Sequence, residues 1–250
     1  MNGFEAHGIP RLSPSSLNMA GMQLPFWLLE RVYGFKFGAG PAAARGTAIE
    51  AGVAHGLMNP TAEVAACQAI ALADFDGRHP KAGIFPDPRC EKERAMIAPT
   101  VAVALAELRL YGVPSAMQTA IRHEIEGLPP FLGFLDFSWE HHGLIIDLKT
   151  SSRMSSEIST SHGRQVAMYL HNTNYSGRLC YATPKAVAVY ALDNPAEHMA
   201  DLVNTAHRLG RFLSISKDRA ELAGLLIPDY SHWIWNSPEA RAAGKAVYGF

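Results

Sequence analysis

The segment Leu144-Ile145-Ile146-Asp147-Leu148-Lys149-Thr150 constrains this chain more than any other. A short run of large aliphatic residues reads as a buried strand, and an acid set into it is costly to bury without a partner. Side chains two residues apart on a strand share a face, so Asp147 and Lys149 point together while Leu148 turns toward the core. The plain alternative is a surface ion pair on an edge strand. The apolar run ahead of Asp147 argues against it.

The neighbouring sequence builds a sheet around that strand. Residues 131–139 and 116–125 come close to apolar–polar alternation, and 144–148 is the short apolar run. His142-Gly143 suits a turn, so 131–139 and 144–148 form a hairpin. Helical spacing returns over 163–175, two further strands (179–183 and 186–192) flank Pro184, and a long helix covers 195–213. Upstream the pattern is helical. Hydroxyl caps in Leu12-Ser13-Pro14-Ser15-Ser16-Leu17 precede a short helix, and Pro25 suits the first turn of a second one reaching Arg31 and Val32. Gly34, Gly38, Gly40 and Pro41 mark a loop, followed by helices at 47–58 and 60–75. Residues 76–89 read as a surface loop, and 91–110 as a helix that Pro99 kinks or divides. The end, from Pro228 on, shows no clear period. The expectation is an α/β fold with a mixed central sheet flanked by helices and a helical N-terminal part. It forms one domain over 1–250, with 1–111 mainly helical, 112–192 holding the sheet, and 193–250 closing with helices and a tail.

A length of 250 residues suits one core with insertions better than two cramped ones. With 48% hydrophobic and 18% charged residues the composition is that of an ordinary folded protein. No apolar run approaches the ~18 residues that a membrane span needs. The first residues lack a basic segment followed by an apolar stretch, and Cys67, Cys90 and Cys180 are too few and too scattered for a disulfide framework. A cytoplasmic protein with no membrane partner is expected. The net charge of −1 argues mildly against holding nucleic acid by charge alone.

Asp136 lies eleven residues before Asp147, on the hairpin partner strand, and a suitable register brings both acids to one end of the sheet. Acids that hold one or two Mg²⁺ ions, with a lysine beside them, meet the demands of phosphodiester hydrolysis. Water must be made nucleophilic, an anionic transition state stabilised and a leaving oxygen neutralised. The Leu148 backbone carbonyl can serve as a further ligand.

Five segments, in order, carry a resemblance: Leu12-Ser13-Pro14-Ser15-Ser16-Leu17, Arg45-Gly46-Thr47-Ala48-Ile49-Glu50, Gly133-Phe134-Leu135-Asp136, Leu144 through Thr150, and Gln165-Val166-Ala167-Met168-Tyr169. Together they resemble the RecB-like branch of the PD-(D/E)XK nucleases. The resemblance implies a restriction-endonuclease-like core, DNA as substrate, and Mg²⁺ or Mn²⁺ held by Asp136, Asp147, Glu50 and the Leu148 carbonyl. It gives Lys149 and Gln165 roles in the chemistry, and gives Tyr169, Arg45, Thr150 and Ser15, with Gln165, contact to substrate. It points to an exonuclease in recombination, repair or phage DNA processing. A single-strand-annealing or replication protein is a further partner, and a homo-oligomer is compatible with it. A structure- or site-specific endonuclease on the same core and a decayed nucleic-acid-binding module are the alternatives; a small-molecule metalloenzyme would leave Gln165 and Tyr169 unexplained.

The sequence departs from the pattern in two places. Glu50 stands where many RecB-like members carry a histidine; the phage-lambda-type and YqaJ-like exonucleases have a glutamate in the corresponding helix, and the resemblance leans toward them. Leu24 precedes Pro25 where a cysteine is often found, and no cysteine follows Cys180, so no iron–sulfur cluster is expected. Glu50 has a rival reading, because Thr47-Ala48-Ile49-Glu50 also fits a capping box. Arg45 reads alternatively as a solvated charge, Glu124 as an exposed strand residue, and His141 and His142 as solvated turn residues. Trp233 and Trp235 suit closure of a core better than base stacking.

Overall fold

A computed structural model describes residues 2–78 and 88–249. Helices α1 (Gly3–Ala6), α2 (Pro14–Met22), α3 (Leu24–Arg31), α4 (Pro41–Met58), α5 (Val64–Arg78), α6 (Pro88–Ala95) and α7 (Ile97–Leu108) precede the sheet. Strands β1 (Ala116–His123), β2 (Phe131–Trp139) and β3 (Leu144–Thr150) are followed by α8 (Thr160–Leu170), β4 (Ser176–Ala182) and β5 (Val187–Ala191). Helices α9 (Pro195–Leu213), α10 (Arg219–Gly224) and α11 (Pro238–Tyr248) complete the chain. The fold is α/β, with a five-stranded mixed sheet in the order β1-β2-β3-β4-β5. β2 and β3 form the expected antiparallel hairpin, β3 and β4 run parallel across the α8 crossover, and β5 returns antiparallel.

The chain divides into two compact units. One contains α1–α3, residues Ala120–Gly133 and α9–α11. Its inner residues include Phe26, Leu29, Trp235, Ala240 and Ala243, with Phe26 and Trp235 packed edge to face at 5.1 Å. Trp235 is therefore a core residue, as expected, whereas Trp233 is 64% exposed. The N-terminus of α2 is capped by Ser13, whose hydroxyl accepts the Ser16 amide, and Trp27 Nε1 donates to Ser16 Oγ at 2.8 Å.

The other unit contains α4–α7 and Phe134–Asp193. The sheet's period of two divides its side chains. Phe137, Trp139, Leu144, Ile146, Leu148, Cys180 and Ala182 join Ile49, Val53, Ala71, Val101 and Leu105 from the helices in one core. α8 packs on β3 and β4, and Gly177 admits it so closely that a Cβ there would meet Val166 Cγ1 at 2.6 Å. α4 approaches its neighbours just as tightly. A Cβ on Gly52 would lie 2.6 Å from Cys67 O, and one on Gly56 would lie 2.7 Å from Leu105 Cδ2.

Several boundaries differ from the sequence expectation, for local physical reasons. α4 begins at Pro41, six residues before Thr47. Proline's fixed φ suits a first helical position, and Ala42-Ala43-Ala44 are strong helix formers, so the apparent loop is helix. α5 continues to Arg78, helped by an Arg78–Asp74 ion pair at 2.6 Å one turn apart. Of the expected 76–89 loop, residues 79–87 lie outside the described residues, and Arg89 already belongs to α6. The break between α6 and α7 falls at Met96, not at Pro99. Pro99 sits in the first turn of α7, where no amide donor is needed. α11 forms in the tail, where no period was legible.

Candidate functional site

β2 and β3 pair Phe137 with Ile146, Ser138 with Ile145 and Trp139 with Leu144. One further step in this register sets Asp136 opposite Asp147. At that step a side chain takes up the bonding, for the Leu148 amide donates to Asp136 Oδ2 at 2.8 Å. The two acids therefore meet, with Asp136 9% exposed and Asp147 fully buried. Leu148 faces the core as alternation demands.

Lys149 Nζ lies 2.6 Å from Asp147 Oδ2. The ammonium takes up Oδ2, while Asp147 Oδ1 is buried without a hydrogen-bond partner. Nζ also donates to Gln165 Oε1 at 3.0 Å, and Gln165 Nε2 donates to Tyr169 Oη at 2.7 Å. Gln165 and Tyr169, four apart on α8, thus form a relay from a buried phenol to the lysine.

Glu50 sits within α4, far from its start. The capping-box reading is overturned, because Thr47 is an interior helix residue whose hydroxyl donates back to Ala43 O at 3.4 Å. Instead Glu50 faces the acids. Burial raises its pKa, a hydrogen bond with Asp136 opposes that rise, and Asp147 adds to it. Burial raises Asp136 well above the usual carboxylate range, and the charges of Asp147 and Glu50 push in the same direction. Burial works to lower Lys149, but Asp147 and Asp136 outweigh it and hold the ammonium above its ordinary value. The cluster is one in which neighbouring carboxylates disfavour each other's ionisation and a single cation offsets only part of the repulsion.

Among the described residues no group of three or more His, Cys, Asp or Glu side chains is already gathered as an ion cage. The donor set nevertheless suits a hard cation. Glu50 Oε1 and Asp147 Oδ1 are buried without a hydrogen-bond partner, a situation that costs about 1–3 kcal/mol per group or more when charged. Oxygen ligands of this kind are those that Mg²⁺ and Mn²⁺ take.

Arg45 is neither solvated nor presented outward. It is 6% exposed, ion-paired with Glu93 of α6, and donates to the Thr150 carbonyl at 3.3 Å. Its guanidinium ties α4 and α6 to the end of β3, immediately after Lys149. Thr150 itself is half-buried there. Ser15 is exposed in the first turn of α2, within the other unit, as is Glu124, which is ion-paired with Arg122 at 2.7 Å. His141 and His142 occupy an exposed turn, their rings 4.0 Å apart.

No protein-family model matches the sequence, and no curated protein matches it. Among solved structures there is a partial likeness to the one described as "Crystal structure of SSO0001", at 22% identity and a TM-score of 0.31. It covers 38% of this chain and 50% of that one, so the chain spans half the length of that protein.

Three residues around the site stand out in no sequence motif. Glu93 is the partner of Arg45, 48 positions away. His162 Nδ1 lies 2.9 Å from Tyr181 Oη. Burial, with the charge of Lys149, lowers the His162 pKa. The one signal for His162 was its place three residues before Gln165, on the same helix face. Tyr181 becomes visible only from the parallel ladder, which pairs it with Lys149.

Proposed function

We propose that this chain is a divalent-metal-dependent deoxyribonuclease of the PD-(D/E)XK type, RecB-like in its motifs and acting as an exonuclease in recombination, repair or phage DNA processing. The observation that carries the reading is the convergence of Asp136, Asp147 and Glu50 with Lys149, which is itself bonded to Gln165. Mg²⁺ or Mn²⁺, held by Asp136, Asp147, Glu50 and the Leu148 carbonyl, would supply Lewis-acid polarisation of a phosphoryl oxygen and a water of lowered pKa.

The chain's own groups supply the rest. Lys149 stays protonated in its acidic surroundings, so it orients the attacking water and offsets the negative charge that grows on the phosphoryl oxygens. Gln165 holds the ammonium by its carbonyl, and Tyr169 fixes the amide from behind. With the lysine's rotamers restricted, little reorganisation is left for the moment of reaction. Arg45 and Glu93 brace the end of β3, which keeps Lys149 in register with Asp147.

The test is incubation of the purified protein with linear and with covalently closed circular DNA, each with Mg²⁺, Mn²⁺ or EDTA. Metal-dependent loss of the linear form alone is the expected result. Nicking or cutting of the circle would make the protein an endonuclease on the same core. Intact DNA under all conditions would remove the nuclease reading.

A further inference from the structure

α8 carries a histidine that the chemistry above leaves unused. His162 shares a helix face with Gln165, whose carbonyl holds Lys149. Lys149 of β3 pairs with Tyr181 of β4, so the ammonium and the phenol stand side by side on one face of the sheet. The His162 and Tyr181 rings lie 5.7 Å apart, and Nδ1 meets Oη at 2.9 Å.

The direction of that hydrogen bond follows from the residues around it. Ser159, the N-cap of α8, hydrogen-bonds the Tyr181 oxygen through both backbone and side chain. The same serine hydroxyl accepts the His162 amide and lies 3.1 Å from Ser161 Oγ, so the donor that Ser159 keeps for Tyr181 is its backbone amide. A phenol oxygen that receives the Ser159 amide turns its own proton to His162 Nδ1, which lies 2.9 Å away. An imidazole accepting at Nδ1 carries its proton on Nε2. Nε2 has no hydrogen-bond partner among the described residues, and the ring is only partly buried. Burial and the charge of Lys149 lower the ring's pKa and so favour its uncharged form. An oriented N–H next to Lys149, with no acceptor supplied by the protein, suits an anionic oxygen.

We infer that His162 is a substrate-binding residue, its Nε2–H donating to a phosphate oxygen of the nucleic-acid strand beside Lys149, with Tyr181 and Ser159 fixing the tautomer. The inference rests on the nuclease reading for its substrate class.

Long-range ¹H–¹⁵N correlation spectra at neutral pH read the tautomer directly. His162 should be protonated at Nε2, and Tyr181→Phe should shift it toward a mixture; protonation at Nδ1 in the wild type would overturn the assignment. In cleavage assays His162→Ala should raise KM for DNA about tenfold, equivalent to about 1.4 kcal/mol, with kcat within a few-fold of wild type. His162→Gln, which keeps an N–H donor, should recover much of the loss. A purely structural histidine would lower the melting temperature and leave KM alone. If the wild type cleaves no DNA, the nuclease reading fails and His162 is judged by oligonucleotide binding in EDTA. A single-stranded oligonucleotide bound about tenfold more weakly by His162→Ala supports it, and unchanged fluorescence anisotropy sinks it.

Discussion

Replacing Glu50 by glutamine removes one charge from the acidic cluster while keeping the size and one acceptor oxygen. In the protein without metal, Glu50 Oε1 is buried with no partner, and so is Asp147 Oδ1. The new amide can donate into this set. A buried hydrogen bond to a charged acceptor contributes about 1.5–3 kcal/mol, and less-than-ideal alignment trims the expected gain to about 1–2 kcal/mol. For a chain of this size roughly 2–4 °C accompanies each kcal/mol, so melting in EDTA should rise by about 4 °C by the same relation. The sign depends on pH. The folded state raises the Glu50 pKa, so the wild type keeps its full stability below the unfolded value of about 4.3 and loses it as pH rises through the folded pKa. Glutamine does not titrate, so the gap should be absent at pH 4 and open toward pH 8. With Mg²⁺ or Mn²⁺ the order reverses: the wild type gains stability by ligand linkage and the variant gains much less. Differential scanning fluorimetry at several pH values, with and without metal, covers all of these outcomes. A variant that melts lower in EDTA and gains as much from metal as the wild type would refute the placement of Glu50 among the ligands.

Asp147→Asn should abolish metal-dependent cleavage while circular dichroism and melting in EDTA show an intact fold. Lys149→Ala should lower kcat by about 10²–10⁴-fold, with metal affinity by calorimetry little changed. The reverse pattern would make Lys149 a structural partner of Asp147. Glu93→Ala leaves Arg45 buried and unpaired. Breaking a fully buried pair costs roughly 3–5 kcal/mol, and the 15% side-chain exposure of Glu93 reduces the expectation to about 2 kcal/mol. The double variant with Arg45→Met should recover much of that loss in chemical denaturation.

The hairpin and its acids were legible because both depend on short-range periodicity. Alternation marks 131–139, which is β2 to the residue, and the period of two sets Asp147 beside Lys149 and Leu148 in the core. Gln165 and Tyr169 were legible for the same reason on a helical period. The start of α4 was not, since Gly38, Gly40 and Pro41 imitate a loop while Thr47 and Glu50 imitate a cap. Local signals competed there, and tertiary packing of Ala44, Ala48 and Val53 decided for helix. The Arg45–Glu93 pair and the His162–Tyr181 contact lay beyond reach, because each joins elements whose adjacency only the folded chain defines.

The glycines of α4 have a consequence for how this chain tolerates insertion. Gly52 and Gly56 lock the helix against Cys67 and Leu105 with no room for a methyl group, so α4 has one permitted rotation about its axis. Glu50 is aimed by that rotation rather than by a loop. Adding one residue between Pro41 and Glu50 could be absorbed only by turning everything before it through about 100°; added between Glu50 and Gly52, it would swing the carboxylate away from Asp136 by the same angle. The loop from Gly34 to Gly40 has no such phase to keep. Length variation should therefore be accepted ahead of Pro41 and between helices, and rejected within the two turns that connect a ligand-bearing carboxylate to its glycine anchor.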